Sequence, residues 1–206
     1  NAVYIYTRIL LKLIEDTEAD YVAVIFDKAR KTFRNDIYPE YKAHRPDAPE
    51  DLIPQFALVR EATEAMGIPG IEMANYEADD LIATYAKQAA AEGMDVTIVT
   101  ADKDLMQLVD ERISIWDGVK DRTIREAEVI EKFGVSPNRV IDVQALAGDS
   151  TDNVPGVQGI GIKTAAELIN TYGDLDTLLA RAEEIKQPKR RERLIEQADM
   201  ARISRE

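Results

Sequence analysis

Two short apolar runs that end in aspartate constrain this chain more than any other feature. Residues 21–26 (YVAVIF) and 96–100 (VTIVT) carry no charge, are rich in β-branched side chains and are too short for core helices. Such runs read as strands buried on both faces, the habit of parallel sheets. Asp27 follows the first run, and Asp102 and Asp104 follow the second. Around them apolar residues recur at helical spacing. Helices are expected at 3–15, at 50–66 with Pro54 near the first turn, and at 77–92 before Gly93. Further short strands are expected at 71–73 and 113–116. Strands alternating with helices predict an α/β fold, a mostly parallel sheet flanked by helices. After residue 123 only short helices are expected, at 125–133, 137–147, 163–171, 175–180 and 189–203. The spacing therefore predicts an α/β part over 1–123 and a helical part over 124–206.

The residue inventory narrows the chemistry. Cysteine is absent and His44 is the only histidine, so disulfides, thiolate sites and multi-histidine cages are excluded. His44, in a basic loop, reads as an exposed polar residue with no catalytic part. No window is apolar for long enough to span a bilayer, and the start has neither the basic flank nor the cleavage site of a secretory signal. The net charge of −13 argues by itself against a nucleic-acid binder. Its distribution argues the other way. Residues 27–45 hold six basic residues (Lys28, Arg30, Lys31, Arg34, Lys42, Arg45) against Asp27, Asp36 and Glu40, a sum of +3 that leaves −16 elsewhere. That strip reads either as a solvated basic loop or as a phosphate-binding arm beside a carboxylate site. A second basic run, 186–193 (KQPKRRER), reads first as a solvated helix start.

Four acidic sets recur in the chain: Asp27; Glu77, Asp79 and Asp80 in YEADD; Asp102 and Asp104; and Asp149 and Asp152 in GDSTDN. In open α/β sheets ligands bind beyond the carboxyl ends of the strands, so Asp27 and the Asp102–Asp104 pair are expected to face one crevice. Glu77 and Asp80 share a helix face, and Asp79 and Asp80 lie at its positive end. Each set alone is matched by a bland reading, an N-terminal cap or a solvated first turn. Eight carboxylates in one cleft would repel one another unless cations neutralised them. With oxygen ligands only, Mg²⁺ or Mn²⁺ suits such a site. Two divalent ions about 3.5–4 Å apart can flank a scissile phosphate, which makes phosphodiester hydrolysis the matching reaction.

The stretch 155–164 (PGVQGIGIKT) fails the P-loop pattern because Ile162 separates Gly161 from Lys163. It fits a tight hairpin between helices. Its glycines and the next helix start can make a phosphate nest, with Lys163 adding charge, that grips duplex backbone without reading sequence; the alternative is a plain glycine-rich turn.

The segments VIFD, KTFRNDIYPEYKAHRP, YEADD, TADKD and GDSTDNVPGVQGIGIKTA stand in an order and spacing that resembles the 5′-nuclease domain of bacterial DNA polymerase I, within the flap endonuclease family. The resemblance covers nearly the whole chain. It implies a metal-dependent 5′-3′ exonuclease or 5′-flap endonuclease with two Mg²⁺ sites, Mn²⁺ able to substitute. Asp27, Glu77, Asp79 and Asp80 would form the first metal group, and Asp102, Asp104, Asp149 and Asp152 the second. It implies a helical arch at about 28–49, where Lys28, Lys31, Phe33, Arg34, Tyr38, Tyr41, Lys42 and Arg45 contact a single-stranded 5′ end, Arg34 and Lys42 close to the chemistry. Aromatics there stack bases or pack against the arch itself. It implies a helix-hairpin-helix at about 154–172, where Gly156, Gly159, Gly161, Lys163 and Thr164 hold duplex DNA with K⁺. The implied partners are DNA with 5′ ends or flaps and a linked polymerase, for a monomer in the bacterial cytoplasm at the nucleoid.

In the family the fold begins with a strand ending in a further metal-binding Asp, and this sequence starts at the following helix. A fragment is therefore expected, and with it the alternative of a DNA-binding module impaired in catalysis. A phosphatase of small esters fits less well, since Asp27-Lys28-Ala29 lacks the second aspartate two residues on.

Overall fold

Both apolar runs fold as strands in the computed structural model, which describes all 206 residues. In chain order the elements are α1 (Ala2–Asp16), β1 (Val24–Ile25), α2 (Arg34–Ile37), α3 (Ile53–Ala65), β2 (Gly70–Ile71), α4 (Ala78–Ala91), β3 (Val96–Val99), β4 (Ile113–Asp117) and β5 (Arg122–Ile124). The helices α5 (Glu126–Phe133), α6 (Val140–Ala147), α7 (Ile162–Tyr172), α8 (Leu175–Ala180), α9 (Pro188–Glu196) and α10 (Ala198–Ile203) complete it. The fold is α/β, with small, mostly parallel sheets flanked by helices. The chain forms two compact units, Asn1–Thr32 with Arg45–Leu81, and Phe33–His44 with Ile82–Glu206. Neither ends near residue 123, because β3 to β5 belong with the helices that follow them.

In the first unit β1 and β2 pair in parallel, Val24 opposite Gly70 and Ile25 opposite Ile71. Flanking bonds run from Val24 N–H to Pro69 O (2.9 Å) and from Phe26 N–H to Ile71 O (2.8 Å). The six-residue strand expected at 21–26 shortens to two because Pro69 has no N–H with which to lengthen the ladder. The helices α1 and α3 are tied by polar clasps. Gln55 Oε1 accepts from the Asn1 amine (2.8 Å) and from the N–H groups of Ala2 (2.6 Å) and Val3 (3.2 Å), so a side chain of α3 satisfies the free amino end of α1. Tyr6 shares a hydrogen bond with the fully buried Thr63.

In the second unit β3 and β4 run parallel, Ile98 opposite Ile115, and β4 and β5 antiparallel, Ile115 opposite Ile124. Buried Asp117 closes the β4–β5 turn by accepting from Val119 N–H (3.1 Å) and Lys120 N–H (3.2 Å). Strand β5 was not expected, because Ile124 is its only apolar residue. One continuous core joins Ile98, Ile113, Ile115 and Ile124 of the sheet to Val129, Phe133, Val143, Leu146, Ile169, Leu178 and Leu194 of the helices. Each such side chain contributes about 1.5–3 kcal/mol of transfer free energy. Helix α5 ends at Gly134 in the left-handed region (φ 74°), a conformation that suits glycine.

Two helical expectations are corrected. The segment 28–45 contains a single helical turn, α2, because Tyr38 must be extended (φ −136°, ψ 99°) ahead of Pro39. The helix expected at 189–203 is broken at Gln197 into α9 and α10. No helix is long and apolar enough to cross a membrane.

Candidate active site

In the first unit the chain leaves β1 at Ile25, and two residues later Asp27 Oδ1 accepts a 2.7 Å bond from Ala78 N–H, the first residue of α4. Asp80 Oδ2 reaches back to Glu77 N–H at 2.9 Å. Both carboxylates therefore sit on donors at the positive end of one helix. Glu77 is buried, and Thr32 Oγ1 donates to its Oε1 at 3.3 Å. Asp79 lies on the same first turn. The structure thus gathers Asp27, Glu77, Asp79 and Asp80 at one helix start. Phe26, beside Asp27, lies under the Arg60 guanidinium, 4.8 Å from the ring centre. Arg60 also holds the Asp27 carbonyl (2.8 Å) and Glu72. These contacts and Lys28, 3.6 Å from Glu72, lower the Glu72 pKa, the Arg60 hydrogen bond foremost.

The basic strip is pinned at its neck. Arg30 bonds both the Arg45 carbonyl and the Asp47 carboxylate, so residues 31–44 leave and return at one place. Its second-unit part, Phe33–His44, is stitched to the loop that carries Asp152. Lys42 N–H donates to Asp152 O (2.9 Å), Lys42 Nζ lies 3.6 Å from Asp152 Oδ2, and Asn153 Nδ2 donates to Glu40 O (2.7 Å). Lys42 and Asn153 have positive φ (54° and 59°), an uncommon conformation for both. The Arg34 guanidinium lies over Phe33 and the Lys42 ammonium over Tyr41, at 4.7 Å and 5.0 Å.

Of the other acidic residues, Asp149 pairs with Lys103, and Asp102 and Asp104 flank that lysine in sequence. After β3, Asp102 Oδ1 accepts from the N–H of Asp104 (2.9 Å), the first residue of the 3₁₀ turn Asp104–Leu108. Gln144 of α6 donates to Asp104 Oδ1 (2.5 Å). The Lys103 ammonium forms an ion pair with Asp149, whose other oxygen accepts from Thr151 N–H at 2.7 Å. Burial raises the Asp104 pKa, and the charges of Asp102 and Asp149 add to that against the Gln144 bond. For Asp149 burial also works upward, but the Lys103 bond and the Thr151 N–H overcome it and the pKa falls. For Lys103 burial favours the neutral form, and Asp149, Asp104 and Asp102 together overcome it and raise the pKa. The donor set is oxygen alone, which suits a hard divalent cation. No three acidic side chains converge into a ready-made metal cage; the Lys103 ammonium is ion-paired with Asp149 and feels the charges of Asp104 and Asp102 instead.

The loop carrying Asp149 and Asp152 is a closed ring. Asp149 and Val154 exchange backbone bonds (2.9 and 2.7 Å), and Gly148 meets Gly156 so closely that a Cβ on Gly156 would lie 2.4 Å from Gly148 N. Both glycines have positive φ (69° and 61°). The hairpin beyond it is braced from α9 and α10. Gly156 N–H donates to Ser204 Oγ (3.1 Å), Gln158 N–H to Gln197 Oε1 (2.8 Å), and Arg193 Nη1 to Gln158 O (3.0 Å). The Gly156 N–H, one of those expected in a phosphate nest, is thus used internally, as is that of its neighbour Gln158. Gly161 opens α7 without a side-chain cap, and Ile162 and Lys163 beside it are exposed. Lys103, Gln144, Gln55 and Gln197 were not singled out from the sequence, and Lys103 alone of these left a signal, a lone cation between two aspartates; Arg193 closes the basic run read as a solvated helix start.

Residues 1–134 match the family model of the 5′-3′ exonuclease N-terminal resolvase-like domain, and residues 135–206 that of the 5′-3′ exonuclease C-terminal SAM fold. DNA polymerase I of Rhizobium leguminosarum is 56% identical over 213 residues, covering 100% of this chain and 21% of that protein. A 5′-3′ exonuclease of Aquifex aeolicus is 40% identical over 186 residues, covering 90% of this chain and 64% of its own. The chain spans under a quarter of the length of the Rhizobium polymerase. A solved T5 5′-exonuclease with bound zinc ions superposes with a TM-score of 0.86 at 23% identity, over 98% of this chain and 79% of that one, and so shares the fold. The catalytic core of Rad2 in complex with DNA superposes at 0.55 and 18% identity, over 95% and 61%. Matched from its first residue to its last by the two halves of one enzyme family, this chain belongs to the 5′-3′ exonucleases.

Proposed function

We propose that this chain is a divalent-metal-dependent 5′-3′ exonuclease and 5′-flap endonuclease, hydrolysing DNA phosphodiester bonds in primer removal and repair. It would be the nuclease part of a longer DNA polymerase I, acting as a monomer at the nucleoid of a bacterial cytoplasm. The observation that supports this most is the Lys103 ammonium, ion-paired with the largely buried Asp149 and held in its charged form by the added charges of Asp104 and Asp102. Like charges held this close need a cation.

Asp27, Glu77, Asp79 and Asp80 would hold one Mg²⁺, and Asp102, Asp104, Asp149 and Asp152 another, with Mn²⁺ able to replace either. Bound metal would supply an acidified water and stabilise the leaving oxygen. The chain's own residues do the rest. Arg34 and Lys42 neutralise the reacting phosphate, while Lys28, Lys31 and Arg45 track the backbone of the 5′ strand. Phe33, Tyr38 and Tyr41 offer ring faces to unpaired bases. Gly156, Gly159 and Gly161, with Lys163 and Thr164 at the start of α7, would hold duplex backbone together with K⁺. On this reading residues 1–123 carry most of the chemistry and 124–206 the duplex grip.

The test is cleavage of a labelled 5′-flap DNA under Mg²⁺ titration. Cleavage should appear with metal, vanish on chelation and fall about 10²-fold or more in Asp104→Asn. Undiminished cleavage in a variant with Asp27, Asp80, Asp104 and Asp149 all changed to Asn would end the reading, as would turnover of a chromogenic phosphate ester in place of DNA.

A further inference from the structure

We infer that Lys103 is a built-in counter-ion for the Asp102–Asp104–Asp149 set, one that a divalent cation displaces, so that Lys103 sets how tightly this set takes metal. The inference deepens the metal-dependent reading above and rests on it. The ammonium is ion-paired with Asp149, whose side chain is 10% exposed, while the Lys103 side chain itself is 36% exposed. One partner is therefore fixed in the protein and the other has a path to solvent. Asp149 is anchored independently by Thr151 N–H, and Asp104 by Gln144, so both keep their places when the ammonium leaves. Lys103 stands on the residue before the 3₁₀ turn with ordinary helical angles (φ −72°, ψ −24°). Its four-carbon stem can swing without any change in the backbone. Lys42 differs. It pairs with Asp152 at 3.6 Å with only 17% of its side chain exposed, and its own N–H is bonded to the same residue, so it is held in place.

A divalent ion and an ammonium cannot share three carboxylates without mutual repulsion, and the metal must also break the Lys103–Asp149 pair. Removing the ammonium charge therefore helps metal to bind and harms the metal-free protein. No other role for the residue predicts both signs together. A merely structural lysine would weaken folding and leave metal affinity unchanged or poorer.

The experiment is Mn²⁺ titration by calorimetry, with thermal unfolding measured without metal and at saturating Mn²⁺, on the unaltered chain and on Lys103→Met, Lys103→Gln and Lys103→Arg. The expected result is about tenfold tighter Mn²⁺ binding in Lys103→Met and Lys103→Gln and near-original affinity in Lys103→Arg. The two neutral variants should unfold at lower temperature without metal and match the unaltered chain when Mn²⁺ saturates. Equal or weaker Mn²⁺ binding in both neutral variants overturns the inference while leaving the metal reading intact. So does a loss of stability that persists at saturating Mn²⁺. Failure of the unaltered chain to bind Mn²⁺ at all overturns both.

Discussion

The two compact units hold their metal-binding candidates in different ways. The first, Asn1–Thr32 with Arg45–Leu81, buries only Leu10 and Leu81 among its apolar side chains, and leaves Tyr4, Ile5, Ile9 and Leu11 of α1 largely exposed. Its coherence comes from polar clasps: Gln55 on the start of α1, Tyr6 on Thr63, Arg60 on Glu72. The second unit owns the whole continuous apolar core. Asp27 and the YEADD turn thus ride on a hydrogen-bonded scaffold, Asp104 and Asp149 on a packed one. Stability is set chiefly by buried apolar area, so the two scaffolds should open at different free energies.

The sharpest break of that contrast is in the second core. Phe133→Ala should cost about 3–5 kcal/mol in urea unfolding, whereas Leu10→Ala in the first unit should cost distinctly less; equal losses would mean the units do not differ as described. Next comes the ring of Asp149. Gly156→Ala meets both a positive φ and backbone at 2.4 Å, and should cost about 1–3 kcal/mol. A smaller effect belongs to the first unit. Gln55→Ala removes the acceptor for three donors at the start of α1 and should cost about 1 kcal/mol. Hydrogen exchange should quicken across α1 while β4 is unchanged; uniform quickening would contradict a local clasp.

The smallest effect is a pH dependence confined to the second unit. Burial raises the pKa of Asp142, against the pull of Arg139, the Leu175 N–H and Arg205. A carboxyl whose folded pKa lies above its unfolded value contributes its stability below the unfolded value and loses it as pH climbs through the folded one. Asp142→Asn should therefore gain on the unaltered chain in urea unfolding as pH rises from the ordinary aspartate range toward neutrality. A gap that stays flat or runs the other way would show that the arginines dominate.

The sequence was most informative where one residue type decides the outcome locally. Asp27 after one apolar run, Asp102 and Asp104 after the other and Gly93 just beyond α4 each follow from a short stretch of chain. Strand lengths were not legible, since the ladder at β1 stops at Pro69, on a segment distant in sequence. The break between α9 and α10 was hidden for a similar reason: Gln197 bonds Gln158, and nothing in either neighbourhood announces it. Long-range polar partners such as Gln55 and Gln144 look like surface residues until the fold brings their acceptors or donors to them.

The pinch between Gly148 and Gly156 has a consequence for how this protein can vary. Two backbones pressed together with no room for a methyl group fix the number of residues that fit in the circuit between them. Ser150, exposed on its rim, can exchange for many side chains at little cost. Adding or deleting one residue would instead rotate Asp149 and Asp152 away from Lys103 and Lys42 at a stroke. Drift in this loop should therefore change letters and keep count.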